Sequence, residues 1–186
     1  MIAARIGLRN RAARKVIVAA GANRLEANRF TRGLGAEVLM SYHDAMDDYD
    51  LPELTAQEVH ERVEDWLRRL DDLFARIRTW AAAHGLTVRD AEPRPMLEER
   101  MERVGEPARE QPTLVLRSAE GKEIWIWPRT PWVLNASGCV DLLTQKGIYA
   151  LIDKAEPLDR PKWVLWKVGA GGTGRPFDPE LLAEMV

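Results

Sequence analysis

The amino-acid sequence predicts an α+β fold: a long N-terminal amphipathic helix and a short second helix, packed on a C-terminal antiparallel β-meander of five or six strands. Three observations lead there. One unbroken stretch, Thr55 to Gly85, repeats apolar residues at helical spacing. From Thr113 the apolar period shortens to that of strands. The spacers between those strands are too short for the crossover of a dozen or more residues that parallel neighbours require.

Named residues set the limits of the helix, which the pattern places at residues 56–84. Thr55 and Glu58 form a capping box, the Thr hydroxyl and the Glu carboxylate each accepting a backbone N–H that the first turn leaves without a partner. Leu54 and Val59 flank the cap as a hydrophobic staple. Val63, Leu67, Leu70, Phe74, Ile77, Ala81 and His84 recur in steps of four and three, and Val59, Trp66, Leu73 and Trp80 widen that seam. Glu61, Glu64, Asp65, Arg68, Arg69, Asp71, Asp72, Arg76 and Arg78 make an opposite face that reads as solvated. Gly85 suits the left-handed position that closes a helix. At 1.5 Å per residue the rod is roughly 43 Å long, more than a small sheet is wide. Its seam is therefore either core against the C-terminal half or, toward its ends, a surface for a protein partner or self-association.

Charge divides the chain. Residues 1–35 hold eight Lys and Arg against Glu26 alone, and the remainder holds 19 against 28. Residues 1–39 read as a basic extension, disordered or partly helical, with Arg9 to Ala20 its best helix. A targeting presequence, an arm for nucleic acid or anionic lipid, and an upstream stretch outside the functional domain all fit it, whereas a secretory signal would need a longer apolar core. An acidic body disfavours nucleic acid, whose phosphates need clustered cations, so only that arm could bind it. His43 to Glu53 gathers carboxylates without the spacing or the glycine of a calcium loop. His60-Glu61-Arg62-Val63-Glu64 approaches the zinc-peptidase motif H-E-x-x-H, but Glu64 stands where the second histidine is needed. No metal and no cofactor are expected.

After Gly85, Leu86 to Arg89 reads as a short strand, and Glu92-Pro93-Arg94-Pro95 as a break. Met96 to Val104 reads as the second helix, with Met96, Leu97, Met101 and Val104 inward, followed by a linker at 106–112. Thr113 to Arg117 and Glu123 to Trp127 form a hairpin around Gly121. Further strands are expected at Trp132 to Leu134, Cys139 to Leu143, Ile148 to Asp153 and Lys162 to Val168. Several are apolar on both faces, which predicts a sheet covered on both sides or curling toward a barrel. Gly169 to Gly174 spells G-x-G-x-x-G, but the twelve residues after it cannot supply the second strand of a dinucleotide site. That run reads as a flexible tail before a short helix, Pro179 to Met185, capped by Asp178.

No catalytic constellation is intact. Cys139 falls within a strand far from any histidine, and Glu120-x-Lys122 sits at a hairpin tip. A single cysteine precludes an internal disulfide and suits a reducing compartment, and no apolar run is long enough to span a membrane. The expectation is a cytoplasmic, non-enzymatic interaction protein of the inhibitor, immunity or adaptor kind, engaging a protein partner through its acidic body and long helix. The alternative is a small-ligand-binding protein or enzyme with a Trp-lined cleft. Trp127, Arg129 and Trp132 from the Pro-bounded Trp127-Pro128-Arg129-Thr130-Pro131-Trp132 would then bind, and Asp141 and Asp153 would supply carboxylates.

Overall fold

A computed structural model describes residues 53–170 and 173–186. The expectations for the basic extension, for the acidic cluster up to Pro52, and for Gly171 and Gly172 lie outside the described residues.

Among the described residues, the first element is helix α1 (Ala56–Ala83), which starts where its cap directs. The Glu58 N–H donates to Thr55 Oγ1 at 3.3 Å, and the Thr55 N–H donates to Glu58 Oε2 at 2.8 Å. Gly85 follows at φ 68°, the left-handed geometry expected of it. The strands are β1 (Thr87–Met96), β2 (Arg109–Arg117), β3 (Glu123–Thr130), β4 (Cys139–Thr144), β5 (Gly147–Asp153), β6 (Trp163–Lys167) and β7 (Arg175–Pro176). They pair in chain order, each antiparallel to the next, as one seven-stranded meander. A short helix α2 (Glu99–Val104) joins β1 to β2, and a 3-10 helix (Pro179–Met185) follows β7. The fold is α+β, as the sequence predicts.

Four expectations are corrected. Strand β1 runs straight through Pro93 and Pro95, because an edge strand pairs on one side only and the register shifts between Ala91 and Arg94 to absorb the first proline. Since β1 extends to Met96, α2 begins only at Glu99, and Leu97, expected inward, is 48 % exposed. The linker at 106–112 is mostly strand, because β2 begins at Arg109 and buries Gln111. Trp132 to Leu134 is no strand: Val133 and Ala136 form an isolated bridge around Asn135, whose φ of 55° turns the chain sharply. With the short strand after Gly85 lengthened into β1 and paired into the meander, β7 added and Trp132 to Leu134 lost, the count is seven.

One face of the sheet carries Leu114, Leu116, Ile124, Ile126, Val140, Leu142, Leu151 and Leu165 against the seam of α1, in a single core. Both ends of that seam are buried, Val59 at 1 % and Trp80 at 7 % exposure. Six inter-strand gaps of about 4.8 Å make the sheet roughly 29 Å wide. The remaining length is covered by the flanking helices, Met101 of α2 and Leu182 and Met185 of the 3-10 helix all joining the core. The shortfall in cover that the helix length predicts therefore does not arise, and the seam is core.

At two points ring planes replace side chains across this packing. Trp66, fully buried, lies against Gly138, where an added Cβ would stand 2.1 Å from the indole. Its Nε1 donates to Gln111 Oε1 at 2.9 Å. On the other face Trp166 covers Gly174 in the same manner.

Candidate functional site

Two loops leave the same end of the sheet, one joining β3 to β4 and the other joining β5 to β6. A cation from α1 holds each, half-buried at the first loop and fully buried at the second. Arg62 donates through Nε and Nη2 to the Pro131 carbonyl at 3.2 and 2.9 Å and through Nη2 to the Ala136 carbonyl at 2.8 Å. Burial and the neighbouring Arg69 charge lower the Arg62 pKa from its ordinary value.

The second loop is held by a charged triad. Asp65 and Arg69, which the sequence places on a solvated face, are 4 % and 0 % exposed, and Asp153 joins them in the interior. Arg69 Nε donates to Asp65 Oδ2 at 2.6 Å and Nη1 to Asp153 Oδ2 at 2.5 Å, while Nη2 donates to the Glu156 and Asp159 carbonyls at 2.9 and 2.8 Å. Asp153 Oδ1 accepts the N–H groups of Ala155 and Lys162 at 3.0 and 2.7 Å, so it ties both stems of the loop. Asp65 Oδ2 accepts the Leu158 N–H at 3.0 Å. Desolvation opposes ionisation of Asp65, but that N–H together with Arg69 and Arg68 outweighs it and lowers the pKa.

The triad fixes Leu158 at φ 66°, a backbone region that costs a branched side chain about 1–2 kcal/mol. The side chain is nevertheless 65 % exposed. Between the two loops and the first turns of α1 lies a cleft of about 510 Å³, lined among others by Leu54, Glu58, Glu61, Trp132, Glu156 and Leu158. The Trp132 ring has Arg62 at 5.8 Å and Arg100 at 5.6 Å from its centroid, and its buried Nε1 has no acceptor among the described residues.

The residues singled out from sequence divide between two places. Trp132 lines the cleft, whereas Trp127 and Arg129 lie on the face of the sheet opposite α1. There Trp127 stands beside Asp141 in the β3–β4 register, with Arg94 4.2 Å above its ring. Arg129 Nε approaches Asp141 Oδ2 at 3.6 Å. Burial raises the Asp141 pKa against the opposing pull of Arg129 and Arg94. Asp153 belongs to the triad. His60 and Glu64 turn to different partners, His60 to Glu106 at 3.3 Å and Glu64 to Arg109. Among the described residues no group of three or more His, Cys, Asp or Glu could hold a metal ion, and no helix is long and apolar enough to cross a membrane.

Cys139 shares that outer face. Burial, assisted by the Asp141 charge, pushes its thiol up to about 12. The thiolate is the reactive form, so the native protein should resist iodoacetamide at about pH 8 and be alkylated stoichiometrically only in denaturant. Intact-protein mass spectrometry checks this; fast native alkylation would contradict it.

Sequence reasoning missed Arg62, Asp65, Arg69 and Leu158. The one available signal was Pro157 and Pro161 bounding a spacer opposite the N-terminal half of the helix. No protein-family model, curated protein or solved structure matches this chain.

Proposed function

We propose that this chain is a non-enzymatic interaction protein, of the inhibitor, immunity or adaptor kind, that binds a protein partner. The observation that carries the reading is the outer face of the sheet. Cross-strand rows there place Val115, Trp125, Leu143 and Ile148 side by side, and next to them Trp127, Asp141, Ala150 and Trp166. A sheet face turned to water would alternate to polar residues at these positions. Here the three indoles are half-buried, and none of the described helices packs over them. Arg89 and Arg94 stand over the rings of Trp125 and Trp127. Tryptophan and arginine are the residue types that dominate interface hot spots.

The test is a partner recovered with the tagged full chain from its host, purified separately and remixed. A stoichiometric complex is expected by light scattering, lost on Trp125→Glu and Trp127→Glu while circular dichroism shows the fold kept. Absence of any complex, together with a monomer at every concentration, would refute the reading.

The cleft favours a second reading, small-ligand binding, because its volume falls within the roughly 300–1,000 Å³ of such sites. A metabolite that raises the melting temperature of the wild type but not of Trp132→Ala would select it.

A further inference from the structure

We propose that the cleft between the two loops receives a basic side chain, arginine or lysine, from an extended segment of a protein partner, with Leu158 packing on the aliphatic part of that segment. The inference rests on the reading of the chain as protein-binding and adds the chemistry of what is bound. The groove is apolar at Leu54, Trp132, Val133 and Pro157, while Glu58, Glu61 and Glu156 give it a carboxylate rim. Among the described residues, Glu58 and Glu61 bond to neutral groups, of Thr55 and Gln57. Two arginines also line the groove, Arg62 donating to two backbone carbonyls and Arg100 lying against the Trp132 ring, so the three carboxylates outnumber the cations there. An incoming cation with an aliphatic stem matches both features, because such side chains bury their stems on apolar surface and keep the charge at the rim.

The loops are also fixed before anything binds. Leu134 and Leu158, two of the three large apolar side chains exposed among the described residues, occur one on each loop, at 38 % and 65 % exposure. Five backbone groups of the second loop are tied to the buried triad, so ordering it costs little when a partner arrives.

N-acetyl-arginine methylamide, titrated into the full chain and followed by nitrogen-15 NMR, is the probe. Saturable shifts are expected at the Trp132 indole N–H and the Leu158 and Glu61 amides, weakening as salt rises. N-acetyl-glutamate methylamide should leave them unmoved. Glu61→Gln with Glu156→Gln should weaken the arginine probe about fivefold. Leu158→Gly relieves the backbone strain, so it should keep the fold while weakening the probe. Equal shifts with the acidic probe, shifts away from the cleft, no saturation, or indifference to the two glutamate substitutions would each overturn the inference. A partner still captured while the probe fails sinks the cleft inference alone; a probe that binds with no partner captured sinks the protein-binding reading alone.

Discussion

Arg69→Met is expected to lower the free energy of unfolding by about 3–5 kcal/mol, because it leaves the buried Asp153 carboxylate without its cation and Asp65 with Arg68 alone. Asp65 and Asp153 would lose the guanidinium that bridges them, and the Glu156 and Asp159 carbonyls would lose their donor. Urea denaturation followed by tryptophan fluorescence reads the loss. The triple variant Asp65→Asn, Arg69→Met, Asp153→Asn should lose less than the single one, since no charge is then stranded; a triple loss equal to or larger than the single would show that uncompensated charge is not the cause. Acid separates the parts further. The Asp65 pKa is lower in the native state than in the unfolded one, so its contribution is complete above the ordinary aspartate range. It is lost as pH falls through the lower native value. Asp65→Asn should flatten that acid limb of the stability curve.

Trp66→Ala should cost a comparable amount, about 3–5 kcal/mol, by emptying the centre of the core. The indole is fully buried, donates to Gln111 and meets Trp163 with ring centroids 6.2 Å apart. Gly138→Ala probes the same contact from the other side. Its Cβ would overlap the indole at 2.1 Å, and the backbone there has φ 149°, so the substitution should destabilise by about 1–3 kcal/mol. Because both variants disturb one contact, the double variant should be less unstable than the two single losses added together. Strict additivity in thermal or urea melts would count against direct packing of ring on glycine.

What could be read in advance followed local rules. The capping box, the seam of α1, the hairpin at Gly121 and the short antiparallel connections depend on residues near one another in sequence, and they occur where the pattern placed them. What escaped depended on distant partners. Asp65 and Arg69, one helical turn apart, look like an ordinary surface pair until Asp153, 84 positions beyond Arg69, closes over them. Pro93 and Pro95 look like a break because their tolerance depends on β1 being an edge, a property of the finished sheet. The candidate site divided for the same reason: Trp127, Arg129 and Trp132 are neighbours in sequence, but β3 ends at Thr130, and the chain then turns into the loop that Arg62 holds.

Those edge prolines bear on how this chain can assemble. Pro93 and Pro95 remove two amide donors from the long outer rim of the sheet, and the opposite rim, β7, is only two residues long. Neither border offers a passing strand a continuous ladder to extend, which is how sheets recruit one another into fibres. Among the described residues, growth by edge addition is therefore disfavoured at both borders, which leaves the broad face and the loops as the surfaces for assembly.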